Sequence, residues 1–242
     1  MLQAASLPPI PGRSRDSDCI EVTSRRTTTY KTAKISPSNP KFYHPPPIVM
    51  SITIRQYTEP DFEFLFAAFN SCVEWLASKG LEGQWGAEPW GASTKERLRV
   101  KIPKEAANGA RQWIAEIDGE PVGYLDITPF RPDYLPASAT EEKPGSETFV
   151  KNLVVHRKFV GRGVGEFLLQ FAKRIAVEEK TVWLRLDCWR GPAGKDGLVR
   201  YYEGHGFVRA REFVNPPKED GEEEWPGQLL EIKVSEIKTE LE

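Results

Sequence analysis

Residues 153–165 read Leu-Val-Val-His-Arg-Lys-Phe-Val-Gly-Arg-Gly-Val-Gly, and they constrain the fold more than any other stretch of the chain. An apolar strand ends at Val155 and a basic loop follows. Gly161, Gly163 and Gly165 then lead into a segment where Leu168, Phe171, Ala172 and Ile175 recur at helical spacing. A strand that feeds a helix through a tight turn predicts a parallel partner strand with a right-handed crossover. The junction also favours an anion. The first turn of a helix leaves backbone N–H groups without partners, and the macrodipole adds partial positive charge there. Three glycines present no side chain to block a phosphate from those groups.

Other phosphate-binding patterns fit less well. A P-loop needs Gly-Lys-Ser/Thr after the loop, which is absent. A dinucleotide fingerprint needs Gly-x-Gly-x-x-Gly, whereas the spacing here is Gly-x-Gly-x-Gly. On the three glycines alone, a turn that binds nothing stays open.

The surroundings carry more. Leu153-Val154-Val155-His156, then Gly161-Arg162-Gly163-Val164-Gly165, resembles the acetyl-CoA motif of the GNAT superfamily of N-acetyltransferases. There a strand ending Leu-x-Val precedes Arg/Gln-x-x-Gly-x-Gly/Ala. Gly163 and Gly165 match its small residues, and Val160 departs from it where Arg or Gln is usual. Downstream, Leu198-Val199-Arg200-Tyr201-Tyr202-Glu203-Gly204-His205-Gly206-Phe207 looks like the family's Ala-x-x-x-Tyr-Glu-x-x-Gly-Phe, with Leu198 for Ala and Lys195 for a common Asn. The resemblance covers roughly residues 51–235. It implies acetyl-CoA as acetyl donor, held by Leu153, Val155, Gly161, Arg162, Gly163, Val164 and Gly165. It implies a splayed parallel strand pair that admits the pantetheine arm, and Tyr202 facing the sulfur as general acid.

Residues 1–49 hold eight of the twenty prolines, many Ser, Thr and Arg, and no apolar periodicity. They read as a disordered tail. A mitochondrial presequence is an alternative, since Arg13, Arg15, Arg25 and Arg26 sit among Ser and Thr. Asp16, Asp18 and Glu21, with Pro8, Pro9 and Pro11, argue against it. A start at Met50 is a third reading. Residues 50–236 then form the catalytic domain and 237–242 a short C-terminal tail.

Within the domain, Ser51–Tyr57 reads as a strand and Thr58–Ser78 as a helix lined by Leu65, Phe69, Cys72 and Leu76. A loop with Trp85 and Trp90 follows, then a short helix with a capping box of Ser93 and Glu96. Arg111–Ile117 and Pro121–Thr128 form a hairpin around Asp118-Gly119. Residues 129–146 look like an inserted loop. Strand 147–155, helix 162–178, strand 181–188, helix 194–205 and strands 207–214 and 228–234 complete the order, with an acidic insert at 218–224. This order suits a three-layer α/β domain around a mixed, mostly antiparallel sheet.

Charge narrows the partners. Residues 1–49 carry 7 Lys/Arg and 3 Asp/Glu, leaving 26 and 32 in the remainder, a balance of −6. A domain this acidic argues against nucleic acid. No apolar stretch reaches the length of a membrane span. Cys19, Cys72 and Cys188 form no motif and no secretory signal precedes them, which points to the cytoplasm. His44, His156 and His205 lack ligand spacing, so no metal is expected. A homodimer stays open.

Acetyl transfer requires a base as well as an acid. Glu147, at the start of the motif strand, is the candidate, with Asp187 at the end of the next strand as the alternative. Trp85 and Trp90 bracket a loop that would bound an aromatic, aliphatic or cationic acceptor. The leading expectation is N-acetylation of a small-molecule primary amine. A protein or peptide acceptor, and a non-catalytic CoA-binding module of the same fold, are the alternatives.

Overall fold

In the computed structural model, residues 51–135, 146–192, 196–216 and 224–237 are described. The expected tail at 1–49, the expected tail at 237–242 beyond Ile237, residues 136–145 of the expected inserted loop, Lys195 and residues 218–223 of the acidic insert lie outside them. The order of elements follows the sequence reading. β1 (Ile52–Gln56) leads through a 3₁₀ turn into α1 (Phe62–Ala77), α2 (Ala92–Ala107), β2 (Arg111–Ile117), β3 (Glu120–Thr128) and β4 (Glu147–Val155). After the glycine loop come α3 (Val164–Glu178), β5 (Trp183–Trp189), α4 (Gly197–Glu203), β6 (Val208–Asn215) and β7 (Trp225–Lys233).

Local chemistry explains the boundaries. Asp61 starts α1 by accepting the backbone N–H and hydroxyl of Thr58, each at 2.8 Å, while Arg55 grips both its oxygens at 2.7 and 2.6 Å. Asp118 and Gly119 both take positive φ, 52° and 79°. Such a turn twists with the flanking strands and sets the β2–β3 hairpin. One expectation fails at α2, which runs 16 residues, begins after Gly91 and has no side-chain cap. Tertiary contacts take the place of the expected Ser93–Glu96 box. Lys95 and Arg99 pair with Glu63 on α1, Arg99 also reaches Glu59, and Ile102 is buried.

The seven strands lie in the order β1-β2-β3-β4-β5-β7-β6, antiparallel except for β4 beside β5. Phe62, Leu65 and Phe69 of α1 and Ile102 of α2 pack on one face with Tyr124 and Val154. Leu168, Leu169, Ala172 and Ile175 of α3 pack on the other, together with Val199 and Tyr202 of α4. Gly123 on β3 lets α3 approach closely: a Cβ there would lie 2.9 Å from Val164 Cγ1 and 3.1 Å from Leu168 Cδ1. Among the described residues no helix is long and apolar enough to cross a membrane.

Candidate active site

The two parallel strands pair only from Glu147↔Trp183 to Val150↔Leu186 and then part. The cause is visible on the other side of β4. Its register with β3 shifts between Ile127↔Val150 and Asp126↔Asn152, which leaves Lys151 as an extra residue. A bulge bends its strand and ends regular pairing nearby. The parting opens a cavity of about 1040 Å³, walled on the β4 side by Val150–Leu153 and on the β5 side by Asp187–Trp189.

Strand alternation divides the walls between the two faces of the sheet. Cys188 belongs to the core on the α3 side with Tyr202. Asp187, its neighbour along the strand, points to the opposite face, where Tyr134 donates its hydroxyl to Asp187 Oδ1 at 2.7 Å. Tyr202, Leu198, Tyr134 and Trp85 all line the same cavity. Burial, with Cys188, Tyr201 and Asp187 nearby, pushes the Tyr202 phenol well above the usual tyrosine range. It is therefore protonated throughout neutral pH. Burial also pushes Asp187 up to about 6, against the lowering effect of the Tyr134 hydrogen bond.

Glu147 is placed elsewhere. Its carboxylate meets Arg185 Nη1 at 2.6 Å, and Arg185 Nε meets Glu231 at 3.2 Å. Arg185 and Glu231 are buried, and Glu147 lies at the start of β4 and outside the cavity wall. A strand-start glutamate expected to serve as base is thus part of a buried ionic cluster that ties β4, β5 and β7 together. The two tryptophans stay in contact, but only Trp85 lines the cavity. Trp90 packs on Phe69 and Trp85 and donates its indole N–H to the Trp85 carbonyl at 3.1 Å.

At the far end of β4 the glycine loop has the conformation its sequence requires. Gly161 and Gly163 have φ of 83° and 79°, where L side chains are strained, and open space lies where their Cβ atoms would be. Gly163 is the N-cap of α3, and the first closed helical turn runs from the Phe167 N–H to the Gly163 carbonyl. The N–H groups ahead of it, including those of Val164 and Gly165, have no carbonyl within the helix to accept them. A Cβ on Gly165 would lie 2.9 Å from the hydroxyl of Tyr201 and 3.8 Å from Val155 Cγ2. Arg162 lies over the Phe159 ring at 5.3 Å, and the Val155 carbonyl accepts the Cys72 thiol at 3.5 Å. Leu153 reaches the cavity, and Val155 stands between it and the loop.

Tyr134, Trp189 and Trp225 line the cavity and were not marked by sequence reasoning. Tyr134 and Trp225 sit in or beside loops with no periodicity, and Trp189 lies one residue past the expected strand end. Only the fold brings them to the site.

The comparisons agree with this geometry. The acetyltransferase (GNAT) family profile matches residues 67–207. None of the curated proteins compared matches the sequence. Among solved structures, the ribosomal-protein-alanine N-acetyltransferase of Brucella melitensis is 20% identical, with a TM-score of 0.53 over 74% of this chain and 98% of that one. An N-acetyltransferase from Staphylococcus aureus Mu50 is 15% identical, with a TM-score of 0.54 over 76% and 99%. The yncA protein of Salmonella typhimurium, solved with its cofactor acetyl-CoA, is 15% identical, with a TM-score of 0.52 over 77% and 95%. These likenesses carry the fold, and the profile match, with the parted strands and the glycine loop, carries the family: the chain belongs to the acetyltransferase (GNAT) family of acyltransferases.

Proposed function

We propose that the protein transfers the acetyl group of acetyl-CoA to the primary amine of a small molecule, with Tyr202 as general acid and Asp187, in place of Glu147, as the group that receives the amine proton. The observation that carries this reading is one cavity, opened by the parting of β4 and β5, with a buried phenol on one wall and a carboxylate on the other. The bound cofactor of yncA supports acetyl-CoA as donor.

The chain fits that donor. The open space and left-handed φ at Gly161 and Gly163 leave the start of α3 clear for a pyrophosphate, met by the N–H groups of Val164 and Gly165. Arg162 adds positive charge to the loop. Beyond Val150 the β4 backbone is not paired with β5, and with the Val155 carbonyl accepting the Cys72 thiol, the main chain of Leu153 and the Val155 N–H are the groups that would meet the pantetheine amides as a neighbouring strand would.

When bound, acetyl-CoA supplies a thioester whose C–S bond breaks as the new C–N bond forms. Above pH about 6 Asp187 is ionised and accepts the proton that the acceptor ammonium must lose before its nitrogen can attack, and the second N–H proton leaves to solvent through the cavity as the amide forms. Tyr134 holds that carboxylate in place. The Tyr202 hydroxyl donates its proton to the departing sulfur and recovers one from solvent through the cavity. General acid catalysis typically contributes about 10²–10⁴-fold.

Release of CoA thiol is measured with acetyl-CoA and an amine panel, and the product is weighed by mass spectrometry. Tyr202→Phe keeps the ring and removes the donor. The expected result is a kcat at least about tenfold lower with acetyl-CoA affinity little changed. Full turnover by Tyr202→Phe, under conditions where chemistry limits the rate, refutes its role as acid.

A further inference from the structure

The cavity has an electrostatic asymmetry that bears on the acceptor. Asp187 lies in its wall, under Tyr134. Glu82 and Glu224 line the same cavity from its solvent side, and both are exposed. They come from segments distant in sequence, fastened where the Trp225 indole N–H donates to the Gln84 carbonyl at 3.2 Å. Among the described residues neither glutamate is in an ion pair. The sole cation lining the cavity among those residues is Lys151, and its ammonium is already held by Glu105 of α2. Among the described residues, three carboxylates therefore face the cavity with no free cation beside them.

The space around these charges is aromatic. Trp85, Trp189 and Trp225 line it, and Gly83 permits close packing of the loop, since a Cβ there would lie 2.8 Å from the Trp189 ring. Indole faces attract cations and cover methylene chains. An acceptor with a carboxylate beside its amine, such as a free amino acid, would bring an anion against three others.

We infer that the acceptor is an extended dication, a primary amine joined by an apolar linker to a second cationic group, with the reacting nitrogen at Asp187 and the second cation at Glu82 and Glu224. This rests on the acetyl-transfer reading above. It also gives a route to product release. Acetylation turns the ammonium at Asp187 into a neutral amide, so the product carries one positive charge fewer than the substrate and is held more weakly.

Three acceptors of equal chain length test the idea: cadaverine, n-pentylamine and ω-aminopentanoate. Thiol release is followed with each under saturating acetyl-CoA. Binding is followed separately by quenching of tryptophan fluorescence in the CoA-loaded protein, because three indoles line the cavity. Cadaverine is expected to exceed pentylamine in kcat/KM by about tenfold, with aminopentanoate slowest, and the preference shrinks in high salt. Glu82→Gln with Glu224→Gln is expected to bring the cadaverine-to-pentylamine ratio to within about twofold, mainly through KM for cadaverine.

Pentylamine or aminopentanoate binding and reacting as well as cadaverine overturns the inference. So does a cadaverine preference that survives the double substitution. If no amine is turned over, the fluorescence affinities decide by the same order. A chain that neither binds acetyl-CoA in calorimetry nor releases thiol with any amine refutes the acetyl-transfer reading itself.

Discussion

Gly123→Ala tests the packing that positions the glycine loop. The added Cβ would lie 2.9 Å from Val164 Cγ1, 3.1 Å from Leu168 Cδ1 and 3.3 Å from the Val154 carbonyl oxygen. Val164 and Leu168 are fully or nearly fully buried, so neither has free space to move into. Where space is open, Gly→Ala at a compatible φ gains about 0.4–1 kcal/mol by restricting the unfolded chain. Overpacking a core by one carbon typically loses about 1–3 kcal/mol, so the clash outweighs the gain. For a domain of this size the net loss lowers Tm by roughly 2–8 °C. Relief requires α3 to move off β3, and Val164 is the first residue of α3, directly after the Gly163 cap. Acetyl-CoA affinity is therefore expected to fall with stability. Urea unfolding and calorimetric titration measure both. Adding Val164→Ala removes the closest methyl, and the pair is expected to be more stable than the sum of the single changes by at least about 0.5 kcal/mol. A Gly123→Ala protein as stable as the parent, or strictly additive losses in the double variant, refutes the argument that close approach of α3 requires a glycine.

Gly163→Glu places a side chain and a negative charge on a left-handed N-cap, where charge alone is worth about 0.3–2 kcal/mol. Calorimetry is expected to show at least about fivefold weaker acetyl-CoA binding, and equal affinity in a folded variant removes the phosphate cradle. For Asp187, the folded pKa of about 6 lies above the unfolded value, so the folded state binds a proton that the unfolded state has lost. The group's contribution to stability is then favourable at low pH and falls as pH rises towards about 6, while activity rises over that interval. Asp187→Asn is expected to abolish the acidic limb of the rate profile with most of the activity, and to raise stability at pH 7.5 by about 1–2 kcal/mol. Unchanged activity would rule Asp187 out as base. Arg185→Met leaves Glu147 and Glu231 without the cation between them and is expected to lose about 3–5 kcal/mol in chemical unfolding. Adding Glu147→Gln and Glu231→Gln should restore much of the loss, and a single variant as stable as the parent would show that the cluster does not hold the sheet.

Much of the fold is written in local signals. The glycine loop, the Asp118-Gly119 turn and the helical spacing after Gly165 each demand one backbone conformation, and each element forms where they place it. The place of Tyr202 in the last turn of a helix was legible because its neighbours Glu203, Gly206 and Phe207 mark the end of that helix and the turn after it. Which strand-end carboxylate reaches the cavity was not. Glu147 and Asp187 look alike as strand-end carboxylates, and what separates them is distance from the bulge at Lys151, which depends on register with β3. A helix cap expected at Ser93 lost to ion pairs with Glu59 and Glu63, thirty or more residues away in sequence. Tyr134 reaches the cavity through a loop, and nothing periodic in a loop sequence says where it will lie; Trp225 opens β7 three residues before the strand start expected at 228.

The short parallel seam has a mechanical consequence. Strands β1–β4 form one continuous antiparallel ribbon and β5, β7 and β6 form another, and four residue pairs of direct strand pairing join them. Across that seam run the Arg185–Glu147 ion pair and the hydrophobic underside of α3. A ligand that bonds the unpaired edge of β4 lengthens the seam on its open side. If the acetyl donor sits there as proposed, its concentration is expected to act as a clasp on the whole molecule, with the slowest amide exchange in β4 and β5 set by occupancy of the cleft as well as by the strength of the core.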